Sequence, residues 1–443
     1  MTVLAWMARC RPAAATSIGW FVFQLGLFLL PSSALLAGLL LLTALVLGSC
    51  QRQQPFWRDP WNWPLLIAAL LMLVGCVQAY SGGRAWVGLG NWLPFFWAFW
   101  GFQPYLVSDE ARRRCALWLV AGTLPVVITG LGQLWWGWQG PWQLFGGLIV
   151  WFITAGGEPT GRLSGLFDYA NIAGAWLALV WPFCLAALLQ PALSRFQRSV
   201  ALGVAIAVVA ALVLTDSRNA WGGLMLAIPF VFGPARWPWL LPLMVLVLLP
   251  VTLAVLPGSP SGLQQWARTV VPEGIWARLN DMRYIQDREL MSTRMSQWGV
   301  ALKLIETRPW LGWGAAAFSV LYPLRTGQWH GHAHNLPLEL AVSHGLPVAL
   351  LVVGTVLALL ITVLRRGVLT GGVLISRGLS STVFDRAWWT ASLILVVMHA
   401  TDMPFFDSRL NIAGWILLAG LRCIILPQQA LQHARSGLDD DAG

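Results

Sequence analysis

The sequence predicts an all-α, polytopic transmembrane helical bundle of about twelve spans, and three observations carry that prediction. The 443 residues are 57% hydrophobic and only 10% charged, with a mean hydropathy of +0.66, far from a water-soluble composition. Apolar runs of roughly 15 to 20 residues, enough to cross most or all of a bilayer as a helix, recur from near the N-terminus to Pro427. Many of the 29 tryptophans stand at the ends of those runs (Trp57, Trp61, Trp63, Trp86, Trp135, Trp136 and Trp138), where indole favours the headgroup boundary. Hydrocarbon offers no water to backbone amides, so helices are the spanning element.

In chain order the spans are expected at 17–31, 33–49, 63–79, 89–107, 115–135, 171–190, 199–214, 219–233, 238–256, 337–364, 388–403 and 410–427. Pro31-Ser32-Ser33 divides the first pair, which is otherwise one long tilted span. Arginines ahead of the first run imitate a signal peptide, but the run flows into further spans and reads as the first helix. With the N-terminus cytoplasmic, the inner segments collect sixteen arginines: Arg9, Arg11, Arg52, Arg58, Arg112, Arg113, Arg114, Arg195, Arg198, Arg236, Arg365, Arg366, Arg377, Arg386, Arg422 and Arg435. The short outer loops keep four, Arg84, Arg162, Arg218 and Arg409. This asymmetry follows the positive-inside rule and places both termini in the cytoplasm, in an inner membrane. The expected division is 1–256 for spans 1 to 9, 257–336 for an extracytoplasmic loop with an amphipathic helix, 337–427 for spans 10 to 12, and 428–443 for a cytoplasmic tail.

The formal charge of +10 comes from 27 arginines and Lys303 against 18 acids. Its dispersal over many short loops argues against nucleic acid as a partner. The six cysteines (Cys10, Cys50, Cys76, Cys115, Cys184 and Cys423) show no CxxC spacing, so neither a disulfide framework nor a metal cluster is expected.

Two outer segments are longer than a hairpin needs, 136–170, rich in Trp and Gly, and the eighty-residue 257–336. Loops of that length in a compact protein usually carry function. In the second, Ser292 or Thr293 is suited to cap a helix that stops before Pro309. Its Met295, Trp298, Leu302 and Ile305 form an apolar stripe, expected on the membrane surface or capping the bundle, with Arg294 in the first turn. Residues 292–345 hold four of the six histidines and the only lysine. His330, His332 and His334 on an extended strand would face one way, as a metal site prefers, yet only the distant Glu339 is at hand to join them, and no metal is expected. Asn335 suits the N-cap of the next span, with Pro337 tolerated in the first turn. His334 is thereby set at a helix N-terminus, where the local dipole favours the neutral imidazole of a general base. A structural capping histidine is the alternative.

Arg162 and Arg294 are either solvated loop charges or forks of donors for phosphate oxygens. Arg162 sits in Gly161-Arg-Leu-Ser-Gly165, whose backbone amides are expected to join it around an anion. Arg218 is a third phosphate contact or an interfacial anchor. Near the C-terminus, Asp407 is expected to pair with Arg409, leaving Asp402, closer to the membrane, as the functional acid.

The segments SRMSQW, RPWLGWGAAAF and HAHNLPLELAVSHGLPVALL, with GRLSGLFDYANIAGAWLALVWP and LTDSRNAWGGL upstream, resemble the O-antigen ligase and O-antigen polymerase family of bacterial membrane glycosyltransferases over most of 160–350. The resemblance implies transfer of a glycan from an undecaprenyl-pyrophosphate carrier to an acceptor sugar hydroxyl outside the cytoplasmic membrane, with no metal, nucleotide or other cofactor. The implied partners are a lipid-linked oligosaccharide donor, a glycan or lipid acceptor and membrane lipids. By similarity, Arg162 and Arg294 hold the pyrophosphate and stabilise its leaving charge, and His334 activates the acceptor or assists at the donor. Arg218, His332, Asn335 and Asp402 complete the expected substrate-binding set. TDMPFFDSRLN also resembles a cyanobacterial subgroup labelled as bicarbonate (inorganic carbon) transporters. Transport normally uses a midplane site between related halves, and the sequence shows neither a repeat nor a conspicuous midplane arginine. A non-catalytic membrane scaffold on the same fold is the third reading.

Overall fold

In the computed structural model, which describes residues 10–52, 54–191, 193–280, 293–370 and 382–425, helices form where the apolar runs predict them. Departures fall at prolines, glycines and charges. Helices α1 (Ser17–Leu29) and α2 (Ala34–Cys50) part at Pro31 and are capped by the side-chain oxygens of Thr16 and Ser33. Next come α3 (Trp63–Val77), the short α4 (Gly83–Gly88) and α5 (Leu93–Gly101). The middle of the chain forms α6 (Asp109–Trp135), α7 (Ala170–Leu188), α8 (Arg195–Leu214), α9 (Arg218–Phe232) and α10 (Trp237–Val255). The long connection that follows folds into α11 (Ser261–Val270), α12 (Glu273–Leu279), α13 (Arg294–Thr307) and α14 (Phe318–Thr326). The chain closes with α15 (Leu336–His344), α16 (Leu346–Arg365), α17 (Val383–His399) and α18 (Ser408–Ile425).

Among the described residues, seven segments are long and apolar enough to cross a membrane, built on α3, α6, α7, α8, α10, α16 and α18, while α1 and α2 are apolar but shorter. The chain is a multi-pass, all-α membrane protein. Among the described residues, the one sheet is a hairpin of β1 (Trp142–Leu144) and β2 (Ile149–Trp151), antiparallel with Trp142 opposite Trp151. The hairpin was not expected in the 136–170 segment; its tight turn uses the left-handed backbone of Phe145, Gly146 and Gly147.

Three expected spans differ in the structure. The run at 89–107 yields only the nine-residue α5 between single 3-10 turns, because Pro94 and Pro104 each start an element rather than continue one. The run at 337–364 breaks at Gly345, whose φ of 88° ends α15 and starts α16. Helix α6 begins six residues ahead of the predicted 115: Ser108 caps it, and Asp109 and Glu110 in its first turn complement the dipole. The arginine triplet is thereby drawn into the helix. Arg112 Nε donates to Asp385 Oδ1 at 2.8 Å with both side chains buried, tying α6 to α17.

Helix α13 is capped by Thr293, as the sequence allows. Of the expected stripe, Ile305 is buried while Met295 and Leu302 stay exposed, and the helix packs inward through Gln297, Ala301, Leu304 and Ile305. The other cap candidate Ser292, together with Arg9, Arg377, Arg435 and the tail 428–443, lies outside the described residues.

The core centres on α7, which packs against α6, α8, α9 and α17, with Trp176 fully buried and its indole N–H donating to Thr123 Oγ1 at 2.9 Å. A second brace explains the Gly-rich turn after Pro309. Leu346 N–H donates to Pro309 O (2.7 Å), Trp313 N–H to Val342 O (2.8 Å) and Gly314 N–H to Ser343 O (2.9 Å). Backbone lies on backbone here: a Cβ on Gly345 would come within 2.1 Å of Trp310 O, and one on Gly312 within 2.6 Å of His344 N. This clamp holds the C-terminal end of α15 and so fixes the direction of its N-terminal end, where the histidines sit.

Gly345→Val adds a Cβ into the clamp at a left-handed φ and is expected to lower stability by about 2 kcal/mol or more. Gly354→Ala, in α16 with open space around it, is the control and should cost nothing. Thermal unfolding of the two variants in the same detergent checks the difference.

Candidate active site

Four connections meet at one end of the bundle: the loop from α6 to α7, the turn from α8 to α9, the segment leading into α15, and the link from α17 to α18. Between them lies a cavity of about 310 Å³ lined by Pro159, Arg162, Tyr169, Asn171, Ser217, Arg218, Asn219, Arg278, Arg294 and His334. The structure thus brings together Arg162, Arg218, Arg294 and His334, which are separated by up to 172 residues in sequence. Among the described residues its wall carries four guanidinium groups and no carboxylate.

Arg162 is held most tightly. Only 6% exposed, it donates from Nε to Thr215 O (2.8 Å) and from Nη2 to Asn171 Oδ1 (2.5 Å), with its guanidinium 5.9 Å from the Tyr169 ring centroid. The expected anion nest around it is not formed by the backbone. Gly161 N–H donates to Gly156 O, Arg162 N–H to Pro159 O and Leu163 N–H to Leu214 O, while Ser164 and Gly165 N–H both donate to Gln133 Oε1. Every amide of 161–165 is engaged internally, because the loop must satisfy its own buried polar groups. Of this segment, the Arg162 guanidinium is what lines the cavity.

Arg218 is the first residue of α9, and Ser217 at the N-cap makes no side-chain hydrogen bond to the first turn. A helix N-terminus facing the cavity adds partial positive charge to that of the arginines. Arg278 comes from α12 and was not anticipated. Its Nε donates to Asp216 O at 2.8 Å and lies 3.4 Å from Asp216 Oδ2. Arginine within a loop helix gives no sequence signal that separates it from a solvated charge; only the fold turns it inward.

Arg294 opens α13 and reaches Asp402 Oδ2 at 3.6 Å. The other oxygen of the same carboxylate, Oδ1, lies 3.0 Å from His334 Nδ1 and accepts Met403 N–H at 2.9 Å. Burial alone would raise the Asp402 pKa; the hydrogen bond and charge of His334, followed by Arg294 and the Met403 amide, hold it below the usual carboxylate range. An ionised Asp402 assigns the proton to Nδ1, which leaves Nε2 as the basic nitrogen of His334. The backbone at His334 is left-handed, φ 50°, a conformation that non-glycine residues adopt at a cost and that recurs at functional sites.

The remaining expected residues lie behind the cavity rather than on its wall. Asn335 caps α15 through Oδ1, accepting Leu338 N–H at 3.0 Å, and its Nδ2 donates to Ala400 O at 2.8 Å. His332 stacks edge-on against His334 with ring centroids 4.2 Å apart, packs on Phe406, and accepts His334 N–H on Nδ1. Its pKa is pushed down to about 4 by burial and then by His334, against the pull of Asp402. Asp407 forms the expected pair with Arg409, Nη2 to Oδ2 at 2.6 Å, and Arg409 also donates to Leu166 O.

Residues 202–353, about a third of the chain, match the family model described as O-Antigen ligase. The matched segment includes Arg218, Arg278, Arg294 and His334 and leaves Arg162 and Asp402 outside it. The match reaches the family and not the cyanobacterial subgroup. None of the curated proteins matches the chain.

His332 supplies a pH test. Its folded pKa of about 4 lies below the ordinary 6.5, so between those values the unfolded chain binds the extra proton and stability falls as the pH is lowered from 6.5 towards 4. His332→Asn is expected to flatten that part of the curve of stability against pH; an unchanged slope in thermal unfolding across this window would count against the assignment.

Proposed function

We propose that this chain acts as an O-antigen ligase-type enzyme and transfers a glycan from an undecaprenyl-pyrophosphate carrier to an acceptor hydroxyl on the outer face of the cytoplasmic membrane. The observation that carries the reading is the convergence of Arg162, Arg218, Arg278 and Arg294 on one cavity with His334 at its edge. A pyrophosphate presents two charged tetrahedral groups, each with a pair of non-bridging oxygens that an arginine fork engages bidentately and lysine does not. The donor is amphiphilic, with its headgroup at the membrane boundary and its glycan in water, and a cavity at the end of the bundle suits that division.

In this mechanism His334 Nε2 takes the proton of the acceptor hydroxyl as its oxygen attacks the anomeric carbon of the donor. The new C–O bond forms while the bond from the anomeric carbon to the pyrophosphate oxygen breaks. The electron pair leaves on undecaprenyl pyrophosphate, whose added negative charge the arginines stabilise in fixed positions. Asp402 orients His334 and balances the imidazolium that forms. His334 then releases its proton to water or to the departing pyrophosphate.

With purified protein in lipid, a lipid-linked oligosaccharide and a sugar acceptor, His334→Ala is expected to lower turnover by about 10²- to 10⁴-fold. Arg162→Ala, Arg278→Ala and Arg294→Ala should each lose on the order of 10²-fold or more. Asp402→Asn, which keeps the shape but favours the wrong tautomer, should fall mainly in kcat. Full transfer by the His334 and all three arginine variants would sink the reading.

A further inference from the structure

One buried carboxylate next to the site is left without a part in the mechanism above. Glu339 lies in the first turns of α15 and is 6% exposed. A carboxylate withdrawn from water is retained only where hydrogen bonds compensate it, and both oxygens of Glu339 are engaged. Oε1 accepts the hydroxyl of Ser343 at 3.2 Å, one helical turn on. Oε2 accepts Ala333 N–H at 3.1 Å, six residues back along the chain. The second bond is the informative one, because Ala333 is wholly buried and immediately precedes His334.

From this geometry we infer that Glu339 is a positioning residue for His334: its carboxylate holds Ala333 N–H and so fixes the left-handed turn that aims the imidazole at Asp402. The inference rests on the role given to His334 above. Three other contacts hold the same short loop: His334 N–H on His332, Asn335 on Ala400, and His334 Nδ1 on Asp402. Those fix the His334 amide, its ring and the residue that follows it. Glu339 alone among these contacts anchors the peptide between His332 and Ala333, one residue ahead of His334, and it does so from the helix that the 309–314 clamp has already made rigid. The strained backbone at His334 persists only if its surroundings over-determine it. Displacing that turn by an ångström would leave the arginine cavity intact while moving the base out of reach of the acceptor.

The test uses the full chain in lipid with the lipid-linked donor, comparing Glu339→Ala, Glu339→Gln and His334→Ala, each normalised to folded protein. Glutamine keeps one carbonyl oxygen for Ala333 N–H, and the Ser343 hydroxyl can turn to accept from its amide. Glu339→Ala is expected to lose on the order of 10²-fold in kcat with KM for the donor within about twofold, the signature of an effect confined to the reacting geometry. Glu339→Gln should restore turnover to within about threefold of the parent, since the bond to Ala333 survives. Wild-type kcat in Glu339→Ala while His334→Ala is inactive overturns the inference and spares the proposed function. So does a loss that matches the fall in folded protein, or one shared equally by kcat and KM. Full turnover in His334→Ala overturns the proposed function itself, and with it the reason for positioning that residue.

Discussion

Four guanidinium groups gathered around one cavity repel each other, and the structure about them is arranged to contain that repulsion. Two like charges 4 Å apart cost about 4 kcal/mol at a protein-like dielectric, and less with distance. Arg162 and Arg278 each give Nε to a backbone carbonyl, those of Thr215 and Asp216. Arg278 and Arg294 each have a carboxylate beside them, Asp216 and Asp402, neither of which lines the cavity. Support therefore comes from behind, and the open side presents donors. Under the proposed function such a site is organised for an anion before one arrives, which is the condition under which fixed charges stabilise a transition state.

Asp402 gives this arrangement its second property. One oxygen engages His334 and the other faces Arg294, so the imidazole and one guanidinium of the cavity share one frame. A shift of the α17–α18 link would disturb both together. The frame is closed on its far side by Thr401, which donates to Asn219 in the first turn of α9. Helices α9, α13, α15 and the link after α17 are in this way connected through side chains that touch the cavity or lie one residue from it.

Hydropathy and capping made much of this legible. The apolar runs located most helices to within a few residues, because burial in hydrocarbon is a local property of composition. Asn335 was legible as a cap from its place ahead of Leu336 and Pro337, and His334 followed from it. What escaped was what depends on distant partners. In sequence the amides of 161–165 look available to an anion, yet Gln133 on α6 and Leu214 on α8 take part of them, and no local pattern announces that. Arg278 was invisible for the same reason. Helix α6 extended through three arginines against expectation because Asp385, 273 residues away, receives Arg112.

The position of the cavity also bears on which chemistry the fold can host. Guanidinium groups at mid-membrane depth are expensive and need partners around them, whereas here Arg218 and Arg294 stand at the first residues of α9 and α13, Arg162 in a loop and Arg278 in the last turn of the short α12. Helix N-termini there contribute their dipoles without any charge entering the apolar interior. A substrate whose charge sits between a hydrocarbon tail and a water-soluble glycan meets such a site without moving its charge across the bilayer. A translocated anion would instead have to leave these arginines and pass through the part of the bundle packed around Trp176 and Trp388, both fully buried. Chemistry at the membrane boundary is what this distribution of charge favours, and transfer of a headgroup-linked glycan is chemistry of that kind.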